Sequence, residues 1–175
     1  MNNNFVYHGS HEFFEHVVPK KQVRWREDNN GNFLVTFDEI SFHATPHKWI
    51  ALAYMCQLKA HKMGEKMVRY NMGVSLYGEP SYTVVIHGFE SLEKSLAAMY
   101  KVWGYLYTFH GDEFFHMEWL GDLEVITKNS PLPLRVEHIL NPIDDMKDLG
   151  VSFEFIDLAQ EKNAHFRRYE TVRGQ

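Results

Sequence analysis

The chain has 175 residues, 45% of them hydrophobic and 23% charged, with a formal net charge of −5. That is a globular composition, large enough to bury a core without staples. The acidic balance argues against a domain built to grip duplex phosphates, which needs a basic stripe. With one cysteine, Cys56, no intrachain disulfide can form. No N-terminal basic-plus-apolar signal is seen and no apolar run approaches membrane-spanning length. The expectation is therefore a single domain over 1–175, cytoplasmic and without a membrane partner, with a secreted effector left open.

The apolar run Phe5-Val6-Tyr7 reads as a first strand ending at His8, with a turn at Gly9-Ser10. A loop or one helical turn is expected from His11 to Val18. The basic cluster Lys20-Lys21-Gln22-Val23-Arg24 reads as solvated surface. A strong turn signal, Asp28-Asn29-Asn30-Gly31-Asn32, precedes the β-branched and aromatic run Phe33–Phe37. A short strand, Ile40–Ala44, leads to Thr45 as a cap and Pro46 as the first position of a helix running to about Lys62. The middle of that helix, Trp49–Cys56, is apolar on nearly every face, so it is buried on more than one side and Tyr54 shares its ring with the interior or with a pocket. Turns are expected at Gly73 and Gly78. Next come a strand at Tyr82–His87, a helix from Ser91 to Trp103, a strand at Tyr105–Phe109, and an extended or looped stretch from Phe114 to Leu120. Glu124–Thr127 and Leu134–Ile139 read as strands, Asp144–Leu149 as a helical turn, Val151–Phe155 as an edge strand and Gln160–Arg168 as a terminal helix. The class is mixed α+β.

Eleven histidines invite a metal reading, through His8/His11, His43/His47 and His110/His116. Pro46 sets the His43/His47 pair across a helix start, and neither a cysteine pair nor His-Glu-x-x-His occurs, so no metal site is expected. Serine chemistry is disfavoured, since Gly-x-Ser-x-Gly is missing and Ser10 has no evident base. Neither nucleotide fingerprint, Gly-x-Gly-x-x-Gly nor a Gly-Lys-Ser/Thr loop, is present.

What accumulates is an order of parts. His8-Gly9-Ser10 closes the first strand, Phe42-His43-Ala44-Thr45-Pro46 leads into a helix carrying Tyr54, and Glu124-Val125-Ile126 opens a late strand followed by Pro131–Val136. This order, with Gly104-Tyr105-Leu106-Tyr107 and Phe114 in between, resembles the ADP-ribosyltransferase family in its His-Tyr-Glu class, the diphtheria-toxin and poly(ADP-ribose) polymerase branch. The resemblance spans roughly Phe5 to Ile139. It implies a split β-sandwich with flanking helices, NAD⁺ as substrate, and cleavage of the nicotinamide–ribose bond through an oxocarbenium-like transition state.

By the same resemblance, His8 hydrogen-bonds the adenosine ribose, Gly9 offers backbone groups to the nicotinamide amide, and Ser10 adds a hydroxyl. Tyr54 stacks on the nicotinamide ring with Phe42, where the family more often has Tyr, as the second aromatic wall. Glu124 holds the nicotinamide ribose and stabilises the cation. Glu118, before Trp119, competes for that role. Glu124 is preferred because one turn then separates it from Leu132–Val136, whereas choosing Glu118 leaves Leu123–Thr127 as an unexplained strand. Asp122 stands where the arginine-modifying branch has Glu or Gln, so the acceptor (protein, nucleic acid, small molecule or water) stays open. Two other readings share the fold: an RNA 2′-phosphotransferase-like enzyme, disfavoured by the scarcity of arginine near the motifs, and a non-catalytic NAD⁺-binding or interaction module.

Overall fold

A computed structural model describes residues 4–27, 33–57, 60–63, 66–69, 71–75, 82–100, 103–116 and 123–160. In chain order its elements are β1 (Phe5–Ser10), β2 (Lys20–Glu27), β3 (Phe33–Ala44), α1 (Lys48–Ala53), β4 (Ala60–Met63), β5 (Lys66–Arg69), β6 (Asn71–Ser75), β7 (Tyr82–Gly88), α2 (Leu92–Met99), β8 (Gly104–His110), β9 (Phe115–His116), β10 (Val125–Thr127), β11 (Arg135–Ile139), α3 (Pro142–Asp148) and β12 (Val151–Asp157). The protein is mixed α+β, with antiparallel sheets and few helices. Among the described residues no helix is long and apolar enough to cross a membrane.

The chain divides into two compact units. Met1–Gln57 and Tyr100–Val151 form the first, Leu58–Met99 and Ser152–Gln175 the second. The second unit holds a sheet in the order β12-β7-β6, the antiparallel pair β4-β5, and α2. Within it, β12 lies at a sheet edge, as its sequence suggested. Gly73, read as a turn, instead lies inside β6 opposite Val85, where the strand pairs with β7 from Asn71 to Ser75.

The first unit is built on two sheets, β1-β8-β11 and β2-β3-β10-β9. The central strand β8 buries Leu106, Tyr107, Thr108 and Phe109 in succession. Consecutive burial means that both faces are covered, as expected for a strand flanked on either side. Val6, Val17, Ala44, Tyr107, Phe109 and Val125 form one apolar cluster, with Phe14, Phe42 and Phe114 packed against it. The two short runs expected around Asp38-Glu39 are one 12-residue strand, β3. The acidic pair that interrupted the apolar pattern is accommodated by ion pairs, Asp38 to Lys21 at 3.1 Å and Glu39 to Lys128 at 2.6 Å.

The helix expected over Pro46–Lys62 is much shorter. Its N-cap is His47, whose N–H is accepted by the Thr45 hydroxyl at 3.1 Å, and Tyr54 is its C-cap. The last turn tightens, with the amides of Met55 and Cys56 reaching back only three residues, to Leu52 and Ala53. A buried Tyr100 hydroxyl donates to the Ala53 carbonyl at 2.7 Å, taking an acceptor that a continuing helix would use. Residues Trp49 to Ala53 are all buried, as the all-round apolar pattern required. The end of the helix leaves Tyr54 outside that buried run. The segments carrying Glu118 and most of the expected terminal helix lie outside the described residues.

Candidate functional site

The two sheets of the first unit touch where β1 and β3 meet. Tyr7 and Thr45 exchange both backbone hydrogen bonds, at 2.7 and 2.8 Å, as an isolated bridge. Beyond it the strands stop pairing, and a side chain takes over: His8 Nδ1 donates to the backbone carbonyl of His43 at 2.8 Å. That bond fixes the tautomer, leaving Nε2 as the acceptor nitrogen. Burial, partly offset by the bond to His43, lowers the His8 pKa from 6.5 to about 4, so the ring is neutral at physiological pH. A half-buried neutral imidazole of this kind orients a hydroxyl rather than carrying charge.

Gly9 is required by packing. A Cβ there would lie 1.8 Å from the Ala51 carbonyl oxygen of α1, so only glycine lets the helix backbone sit on the strand. In an antiparallel strand, backbone groups alternate edges. Since Tyr7 points its N–H and C=O at β3, those of Gly9 point to the same edge, past the place where β3 provides partners. The Ser10 hydroxyl accepts the Glu12 N–H at 3.0 Å and closes the turn after β1.

A cavity of about 550 Å³ opens at this junction, wholly within the first unit. His8, Gly9, Ser10, Phe42, Tyr54 and Glu124 all line it, and so do Lys20, Gln22, Arg24, Ser41 and His43. Its size is that of an ordinary small-molecule site. Phe42 is half-buried, its ring centroid 4.5 Å from that of His8, and it shares its other contacts with the core. Tyr54 is 58% exposed, not core. Desolvation by the surrounding protein, and then the charge on Glu124, push its hydroxyl pKa up.

Glu124 stands just before β10, beside the Val125–Ala44 register pair. Its Oε1 accepts from Arg24 Nη2 at 2.6 Å and from His43 Nδ1. The His43 ring is held in turn through Nε2 by the Ser41 hydroxyl at 3.0 Å. Desolvation opposes the charge on Glu124, but the hydrogen bond from His43 and then the bond and charge of Arg24 outweigh it. The carboxyl is thereby held below the usual carboxylate range. Among the described residues Oε2 makes no hydrogen bond, and Glu124 lines the cavity.

Every described candidate residue thus reaches one cavity, and Glu118 lies outside the described residues. Arg24, His43, Ser41 and Lys20 were missed as site residues. A signal was present: Lys20, Gln22 and Arg24 alternate at period two on a strand and therefore share a face. Read as a charge cluster, they looked like solvated surface. A β-bulge in β3 lies beside Arg24, where Arg24 pairs with Phe37 but Trp25 pairs with Val35. Bulges bend a strand and re-aim the side chains next to them. No family model, curated protein or solved structure matches the chain.

Proposed function

We propose that this cavity binds NAD⁺ and breaks its nicotinamide–ribose bond, passing ADP-ribose to an acceptor or to water, on an ADP-ribosyltransferase-like split β-sandwich. One observation carries the reading: His8, Tyr54 and Glu124, far apart in sequence, line a single cavity. Each also has the right chemistry for its part. The Nε2 of neutral His8 accepts a ribose hydroxyl, and the outward N–H and C=O of Gly9 match a carboxamide. Tyr54 and Phe42 offer rings to a flat nicotinamide. Glu124, ionised with one oxygen free, stands against the positive charge that develops on the ribose. The C–N bond breaks with its electron pair leaving on nicotinamide, and an acceptor lone pair closes on the ribose carbon as the acceptor proton departs. Fixed charge aimed at developing charge is normally the largest catalytic term.

Incubation with NAD⁺ should release nicotinamide, and Glu124→Gln should slow the release about 100- to 1,000-fold. Tight binding without release supports the non-catalytic module instead. Absence of both binding and turnover overturns the reading. The cationic wall of Lys20 and Arg24 also favours a second reading, the RNA 2′-phosphotransferase-like enzyme. Salt-sensitive RNA binding would distinguish it.

A further inference from the structure

We infer that Arg24 and His43 are positioning residues for Glu124: two cationic or N–H donors converge on Oε1, so that the carboxylate is held in place and Oε2 alone is left to meet the substrate. This rests on Glu124 being the acting carboxylate of the proposed reaction.

The geometry is convergent and asymmetric. Arg24 arrives from β2, opposite the bulge in β3, and His43 arrives from β3 itself, the strand between β2 and β10. Both end on the same oxygen. Their side chains are 42% and 16% exposed and that of Glu124 is 21%, so His43 is the buried brace and Arg24 the outer one. Ser41 completes the brace. The Glu124 carboxylate can only accept, so Nδ1 of His43 carries the proton of that bond, and the Ser41 hydroxyl holds the ring by its other nitrogen, Nε2. A carboxylate with one oxygen pinned by two donors cannot rotate freely, and misplacement of a reacting group by about 1 Å costs on the order of 100-fold in rate. The other titratable groups around Glu124 are Tyr54 from the end of α1 and His8 from β1, with Glu12, His16 and Lys20 further round the cavity wall.

The decisive measurement is the titration of the Glu124 side-chain carboxyl by ¹³C NMR, its signal assigned by its loss in Glu124→Gln. Arg24→Gln should move the midpoint upward, because desolvation persists when the opposing charge is gone. Arg24→Lys should move it less. At His43 the contrast is geometric. Asn places its amide N–H where Nδ1–H was and should leave the midpoint near wild type, whereas Gln reaches the Nε2 position and should let it rise. Unchanged amide spectra certify folding, and the Lys and Asn variants serve if the harsher ones do not fold. An unmoved midpoint in Arg24→Gln together with equal midpoints in His43→Asn and His43→Gln overturns the inference. Nicotinamide release provides the second readout: kcat should fall about 100-fold in Arg24→Gln with KM little changed, and the acid limb of the rate should move to higher pH. If wild type releases no nicotinamide while the midpoints move as stated, the proposed reaction fails and the positioning role stands. If wild type turns over and no variant moves midpoint or rate, the positioning role fails alone.

Discussion

Ser41, His43 and Glu124 are joined in the order of a nucleophile, its base and an orienting carboxylate. Burial decides against that role. Ser41 is 1% exposed, so its hydroxyl cannot approach an acyl carbon, and Arg24 occupies the same glutamate oxygen that orients the ring. A fluorophosphonate probe should therefore leave Ser41 unmodified in the folded protein, as read by mass spectrometry of its peptide. Stoichiometric labelling there would revive serine chemistry. The sequence pattern speaks against serine chemistry, through Ser10 and the missing nucleophile elbow. It had no means of seeing Ser41, because an i, i+2 pair on a strand acquires its third member only when a strand 81 residues away lies alongside.

The packing of α1 on β1 depends on a single missing methyl group. Gly9→Ala drives its Cβ into the Ala51 carbonyl, a backbone atom that cannot swing aside. The loss should be about 1–3 kcal/mol, read as a lower denaturant midpoint at constant slope, together with weakened ligand binding because α1 carries Tyr54 to the cavity. Gly73→Ala is the control. Nothing lies within 4 Å of the added Cβ there, and stability should change by no more than about 0.5 kcal/mol. The apolar, β-branched and aromatic runs that mark β1, β7, β8 and β11 were legible because strand propensity and turn residues are local properties of the chain. The extent of α1 was not. Its sequence reads as helix well past Ala53, and the Ala53 carbonyl that would have continued it is taken by the Cys56 amide and by a hydroxyl arriving from Tyr100. Likewise β3 was cut at Asp38-Glu39 because the lysines that neutralise those charges lie on neighbouring strands.

For the molecule as a whole, the site's electrostatics bear on its stability toward acid. His8 takes a proton near pH 6.5 in the unfolded chain but only near pH 4 when folded. Its contribution is therefore complete above pH 6.5 and is lost as pH falls through that interval, amounting to about 3 kcal/mol. Glu124, with its folded pKa depressed, works in the same direction: its contribution is present above the ordinary carboxylate range and lost as pH falls below it. Denaturant titrations from pH 7 to pH 4 should show falling stability. His8→Asn, which can keep the donation to the His43 carbonyl without a titrating ring, should flatten the curve above pH 5. A curve of unchanged steepness would contradict the half-buried, neutral His8.

The sequence by itself determined the α+β class, the strands marked by apolar and β-branched runs between turn residues, and the order of His8, Tyr54 and Glu124 along the chain. It also determined that the helix after Pro46 is buried on more than one side. Only the tertiary structure decided that those three residues share a cavity. It also decided that Tyr54 leaves the helix facing solvent and that Arg24 and His43 hold Glu124 by one oxygen. The reason is physical: periodicity and turn chemistry depend on neighbours a few residues away, whereas a charge is paired or a helix stopped by groups that only folding brings within about 3 Å.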